Sequence, residues 1–170
     1  TEAFLPSLEA FDGEMLMLCN PNNPTGQAIE RPLAEKILEI CRRKRILLFI
    51  DECFLDLTQD GAQLSMKPFL NETEGLFLLK AFTKSYGMAG LRLGYCLCGS
   101  EKLLKTMGRQ VQPWNVSVPA QAAGIAALSQ REFLQRANDC IRDQRPVLTE
   151  GLQKLGFDVI PSRTNYILFH

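Results

Sequence analysis

Two apolar runs separated by one amphipathic stretch constrain the fold of this chain more than any other feature. The runs are Met15 to Cys19 and Ile46 to Ile50. The second is apolar at every position, the pattern of a strand covered on both faces. Between them Leu33, Ile37, Ile40 and Cys41 recur at helical spacing, and Glu35, Lys36, Glu39, Arg42 and Arg43 fill the other positions. Pro32 suits the first turn of that helix. Strand, helix and strand over about thirty residues make a right-handed unit with parallel strands. Further strand signals run from Leu76 to Phe82 and from Leu93 to Cys98. The polar stretch Thr58 to Glu74 lies in a second crossover and leaves its helix undefined. The class that follows is α/β, a three-layer, mostly parallel sheet with helices on both faces.

Past Ser100, a plausible N-cap, the pattern turns helical, with Leu103, Leu104 and Met107 on the inward stripe. Pro119 opens another helix whose stripe is Ala122, Ile125 and Leu128. From Arg131 to Leu155 the residues Leu134, Ala137, Ile141, Leu148, Leu152 and Leu155 keep helical spacing, and Pro146 should kink or interrupt the run. Phe157 to Ile160 and Asn165 to Phe169 read as strands of a smaller sheet. The expected organisation is a large-domain portion over residues 1–130 and, over 131–170, a linking helix with the start of a small α+β domain. Thr1 at one end and a bare strand at the other read as a fragment of a longer chain.

Bulk properties exclude several partner classes. Nineteen basic and nineteen acidic residues balance, so no global field favours nucleic acid or an anionic membrane. No apolar run is long enough to span a bilayer, and no secretory signal precedes the first strand. Cys19, Cys41, Cys53, Cys96, Cys98 and Cys140 sit mostly in apolar patterns and read as buried thiols of a reducing, cytoplasmic compartment. Cys96 and Cys98 share a strand face but lack a second ligand pair, so no metal site is expected. His170, the only histidine, is terminal and receives no role.

Candidate chemistry gathers at strand ends. Open parallel sheets bind ligands beyond the carboxyl ends of their strands. Asn23 follows the first strand, Asp51 ends the second and Lys84 follows the third, at intervals of 28 and 33 residues. Each interval is one strand–helix unit, so all three can meet at one edge. Asn23 lies in Asn20-Pro21-Asn22-Asn23-Pro24-Thr25-Gly26, where two prolines and a glycine make a stiff turn. Asp51 closes an apolar run, where a carboxylate is partly desolvated and wants a cationic partner. Lys84 in Ala81-Phe82-Thr83-Lys84-Ser85-Tyr86-Gly87 is placed to act as a nucleophile or base, although a lone lysine is more often a solvated loop residue. Lys80, inside the strand, is a rival that alternation or an edge position could send to solvent. Arg92, between Gly90 and Gly94, can grip an anion bidentately, with the Thr83 hydroxyl as a second donor. No Gly-x-Gly-x-x-Gly follows a strand, which argues against a dinucleotide site.

The ordered set Asn20 to Gly26, Asp51-Glu52-Cys53-Phe54, Thr83-Lys84 and Arg92 resembles the pyridoxal-phosphate (PLP) aminotransferases of fold type I. Within them it is most similar to the branch of histidinol-phosphate aminotransferase and threonine-phosphate decarboxylase. The resemblance implies that Lys84 carries PLP covalently, Asp51 pairs with the pyridinium nitrogen, Asn23 hydrogen-bonds the ring's phenolic oxygen, and Thr83 and Arg92 bind the phosphate. It implies amino-group transfer between an amino acid or amino phosphate and a keto acid. Decarboxylation of a phosphorylated amino acid is the alternative, slightly favoured by Gln112 to Val116, and a non-catalytic PLP-binding module is a third reading. A homodimer is implied for the intact protein. Two positions depart from the family pattern. Phe54 stands where a tyrosine is usual, and Ala81 where a serine often contributes to the phosphate site.

Overall fold

The computed structural model describes residues 3–170. It begins with α1 (Phe4–Ala10), a short helix absent from the sequence reading, whose Leu8 is buried. Three parallel strands follow, β1 (Met15–Cys19), β2 (Leu47–Asp51) and β3 (Leu76–Ala81), joined laterally in the order β1-β2-β3. β1 crosses to β2 through α2 (Arg31–Lys44), which opens with a proline in its first turn and ends at Arg45 in the left-handed region, φ 59°. Basic residues Arg42, Arg43 and Lys44 occupy its last turn, where they complement the helix dipole. The second crossover has no full helix. It runs through the 3-10 turn Leu55–Leu57, the single-turn helix α3 (Gly61–Leu64) and the 3-10 segment Lys67–Glu72.

β3 passes into the single-turn helix α4 (Phe82–Ser85), and β4 (Gly94–Cys98) then pairs antiparallel with β3. The direction of β4 has a consequence for the site: its start, not its end, lies beside the end of β3, with Gly94 opposite Ala81. α5 (Glu101–Gly108) is capped by Ser100, whose Oγ accepts from the Leu103 amide at 3.4 Å. α6 (Val118–Leu128) is capped likewise by Ser117, and α7 (Arg131–Lys154) runs for 24 residues. β5 (Val159–Ile160) and β6 (Leu168–Phe169) form a separate antiparallel pair.

The core lies on one face of the four-stranded sheet. Leu48, Ile50, Leu76 and Leu78 point to that face and meet Ala34, Ile37, Leu38 and Cys41 of α2, Leu8 of α1 and Met66. Each fully buried leucine of this set contributes about 1.5–3 kcal/mol of hydrophobic stabilisation. The opposite face is more open. Leu47 and Phe49 of the wholly apolar β2 run are only partly covered by the described residues, and Met17 is 65% exposed.

Other expectations change in detail. In α5 only Leu103 is half-buried, while Leu104 and Met107 face solvent. In α6 the buried stripe is Ala120, Gly124 and Ala127, whereas Ile125 and Leu128 are exposed. The small residues win because Gly124 lets Leu93 approach closely; a Cβ there would sit 2.5 Å from a Leu93 methyl. α7 continues through Pro146 without interruption. Its apolar residues are half-buried or exposed, and Leu155 is largely open. Among the cysteines only Cys41 is buried; Cys19 and Cys140 are exposed and the rest lie between. Among the described residues no helix is long and apolar enough to cross a membrane, and no cluster of metal-ligating side chains occurs.

Candidate active site

Strand register fixes the site edge. Cys19 pairs with Asp51 and Asp51 with Leu79, so β1 and β2 end level with one another and β3 runs two residues further, to Ala81. Two further backbone bonds extend the ladder past the strand ends, from the Asn20 amide to the Asp51 carbonyl and from the Glu52 amide to the Leu79 carbonyl. The turns that leave these ends therefore share one edge.

The turn after β1 is built by Asn20 and Asn22. Asn20 is buried and its Oδ1 accepts from the Ile29 amide at 2.8 Å. The Asn22 carbonyl accepts from the Gly26 amide at 2.7 Å, and its Oδ1 accepts from the Thr25 hydroxyl at 2.8 Å. Gly26 adopts φ 70°, a left-handed conformation in which glycine carries no Cβ penalty. Peptide bonds Asn20-Pro21 and Asn23-Pro24 are both cis. Asn23 itself is exposed at the turn's crest, with no side-chain hydrogen bond among the described residues.

Asp51 accepts a hydrogen bond from the Cys53 amide at 2.9 Å through Oδ1. No cation pairs with this carboxylate among the described residues, and the Cys53 thiol is its other hydrogen-bonding neighbour. The field of this carboxylate reaches several neighbours. Burial, then the Asp51 hydrogen bond and charge, push the Cys53 thiol up to about 12. Burial and Asp51 also raise the Cys19 thiol, and burial raises the Tyr166 phenol with Asp51 contributing.

Lys84 lies on α4, directly past the end of β3. Its ammonium makes no ion pair or hydrogen bond among the described residues and rests 5.2 Å from the centroid of the Phe54 ring. Phe54 in turn packs edge-on against Tyr166 with centroids 4.9 Å apart, and the Tyr166 hydroxyl donates to the Asn22 carbonyl at 3.0 Å. A continuous contact path thus links Lys84, the segment just past Asp51, and the turn that holds Asn23. Thr83 is half-buried with an unused hydroxyl, and Arg92 sits in the left-handed region, φ 52°, with an exposed guanidinium whose one bond is a long 3.4 Å contact to the Ala89 carbonyl. The reversed direction of β4 carries Arg92 to the same edge as Lys84.

Lys80 behaves differently. Adjacent strand residues alternate faces, so Lys80 projects away from the side of its neighbour Leu79 and of Asp51. It is buried rather than solvated, and its Nζ lies 3.1 Å from Glu52 Oε2 and 3.0 Å from Asp56 Oδ1. The rival lysine is therefore committed to carboxylates on the other face.

Two features escaped the sequence reading. Tyr166 lay in a run read only as strand, with no signal that it would reach the first turn. The Glu52–Lys80 pair did carry a signal: Glu52 follows Asp51, must face the opposite side, and shares that side with Lys80.

The donor set suits an anionic, aromatic carbonyl cofactor: a free amine, an unspent guanidinium and hydroxyl, and a carboxylate with no cation paired to it among the described residues. Comparison with known proteins agrees in kind. The family model described as aminotransferase class I and II matches residues 2–170. A threonine-phosphate decarboxylase of Salmonella typhimurium is 35% identical over 99% of this chain and 46% of its own length. A histidinol-phosphate aminotransferase of Methylobacillus flagellatus is 37% identical over 94% of this chain and 43% of its own. The crystal structure of histidinol-phosphate aminotransferase from Sinorhizobium meliloti in complex with pyridoxal-5'-phosphate superposes with a TM-score of 0.85 at 25% identity, covering 99% of this chain and 45% of that one. The chain thus spans less than half the length of each of these proteins.

Proposed function

Because this chain belongs to the class I and II aminotransferase family, we propose that it forms the PLP-binding portion of an aminotransferase acting on an amino acid or amino phosphate and a keto acid. The observation that carries the reading is the state of the two lysines. Lys84 has an unpaired ammonium against Phe54, three residues past Asp51, whereas Lys80 is buried against Glu52 and Asp56 on the far face.

Lys84 would hold the cofactor through its amine. Released by an incoming amine, it would take a proton from the substrate's α-carbon and return it, a role that contributes roughly 10²–10⁴-fold. Asp51, whose carboxylate has no paired cation among the described residues, would hold the proton of the ring nitrogen. Asn23 would donate its amide to the ring's phenolic oxygen, and Thr83 and Arg92 would bind the phosphate as hydroxyl and guanidinium donors. PLP, when bound, supplies a ring that accepts the electrons left on the substrate carbon. Phe54 supplies a ring face without the hydroxyl usual at its position. The division into residues 1–130 and 131–170, and a homodimer for the intact protein, belong to the same proposal.

Borohydride reduction of the PLP-loaded protein followed by peptide mapping tests the assignment. The label is expected on Lys84; a label on Lys80, or none, overturns it. Decarboxylation is the second reading, raised by the 35% identity to the Salmonella decarboxylase, which is comparable to the 37% to the Methylobacillus aminotransferase. Carbon dioxide release from a phosphorylated amino acid without keto-acid formation would select it over transfer.

A further inference from the structure

On the far face of the sheet from the proposed site lies a buried ion pair, Glu52 with Lys80, joined to the partly exposed Asp56, that the mechanism above does not use. Glu52 is fully buried and its carboxylate is saturated. Oε1 accepts from the Met66 amide at 2.9 Å, and Oε2 accepts from the Ser65 hydroxyl at 2.8 Å and faces Lys80 Nζ at 3.1 Å. Lys80 reaches Asp56 Oδ1 at 3.0 Å, and Asp56 Oδ2 accepts from the buried Ser85 hydroxyl at 3.4 Å. The Asp56 carbonyl accepts from Asn138 of α7 at 3.0 Å.

The members are not scattered along the chain. Glu52 follows Asp51, and Ser85 follows Lys84. Lys80 is thus the hub that joins the backbone carrying the acid to the backbone carrying the amine. Stability alone does not account for it, because a buried ion pair often does no better than apolar residues of similar volume. Asp56 is partly exposed and shares its charge with water, so the buried pair is Glu52 and Lys80, and Asp56 links that pair to Ser85.

We propose that Lys80, acting through Glu52, Asp56 and Ser85, is a positioning residue that fixes Lys84 relative to Asp51. The inference rests on the assignment of Lys84 and Asp51 to the cofactor. The cluster sets the spacing of the two groups from below, while the site face stays free for the ring. Misplacement by about 1 Å can cost on the order of 10²-fold in rate, so losing the hub should be felt at the cofactor although Lys80 does not touch it.

The test uses the PLP-loaded full-length protein and the variants Lys80→Met, Lys80→Arg and Ser85→Ala. Three quantities are read: the dissociation constant for PLP, the visible circular dichroism of the bound cofactor, which reports its orientation, and kcat separately from KM. Lys80→Met is expected to weaken PLP binding and lower kcat by about tenfold or more, with an altered dichroic band and little change in KM. Lys80→Arg, which keeps the charge and reach, should restore most of each. Ser85→Ala removes one hydroxyl contact and should alter the band in the same sense, so it carries the test if Lys80→Met fails to fold. An unchanged band and PLP affinity in a folded Lys80→Met protein, or in Ser85→Ala if that alone folds, overturns the positioning role. If borohydride fixes PLP on wild-type Lys84 while the variants are silent, only this inference falls. If the wild-type label lies elsewhere, the site assignment and the inference fall together.

Discussion

The two faces of the four-stranded sheet come from the same residues in alternation, yet they do different work. On one face Leu48, Ile50, Leu76 and Leu78 are sealed by α1, α2 and Met66. On the other, Met15, Met17 and Cys19 remain accessible, and Asp51 has no cation paired to it among the described residues. The closed face is where burial stabilises the fold; the open face is where polar groups at strand ends stay available for chemistry. Charge is divided in the same way. Lys80 on the closed side is saturated by carboxylates, and Lys84 at the edge is not. Lys80 stays charged despite its burial because Glu52 and Asp56 outweigh it: desolvation pulls its pKa down, and the two carboxylates bring it above its ordinary value. A lysine held that way is a poor nucleophile.

Four substitutions probe this contrast, in descending order of effect. Lys84→Ala should abolish borohydride fixation of PLP and cut turnover by about 10²–10⁴-fold, equal to about 3–5 kcal/mol at the transition state, with little change in unfolding midpoint. Leu48→Ala on the closed face should cost about 2–5 kcal/mol in urea unfolding, because the cavity it leaves is walled by strands and α2. Gly26→Ala should cost about 1–2 kcal/mol from backbone conformation, and more from contact, since the new Cβ would sit 2.0 Å from Ser162 Oγ. Met17→Ala on the open face should change stability by less than about 0.5 kcal/mol. A Met17→Ala cost as large as that of Leu48→Ala would erase the distinction between the faces.

Much of this was legible from the residues. The four strands and α2 announced themselves because apolar runs, a first-turn proline and charged flanks agreed with one another. That the segments carrying Asn23, Asp51 and Lys84 leave the sheet at one edge followed from their spacing, since each interval equals one crossover unit. Direction was not legible in β4, because parallel and antiparallel strands carry the same alternation. The buried side of α6 was misread because the large residues Ile125 and Leu128 suggested the core, whereas close approach of Leu93 required small ones. Thiol burial was overestimated because an apolar neighbourhood in sequence does not say which face is covered. Phe54 could be read as a missing hydroxyl, but its service as the surface on which Lys84 rests needed three dimensions.

The pairing of Asp51 with Leu79 has an evolutionary edge. Strand residues switch sides at every step, so an insertion or deletion of one residue within β3 would trade places between Leu79 and Lys80. The wrong ammonium would then emerge next to Asp51, Glu52 would lose its counter-ion, and a leucine would be driven among carboxylates. Length in this strand should be far less free to drift than its choice of aliphatic side chains.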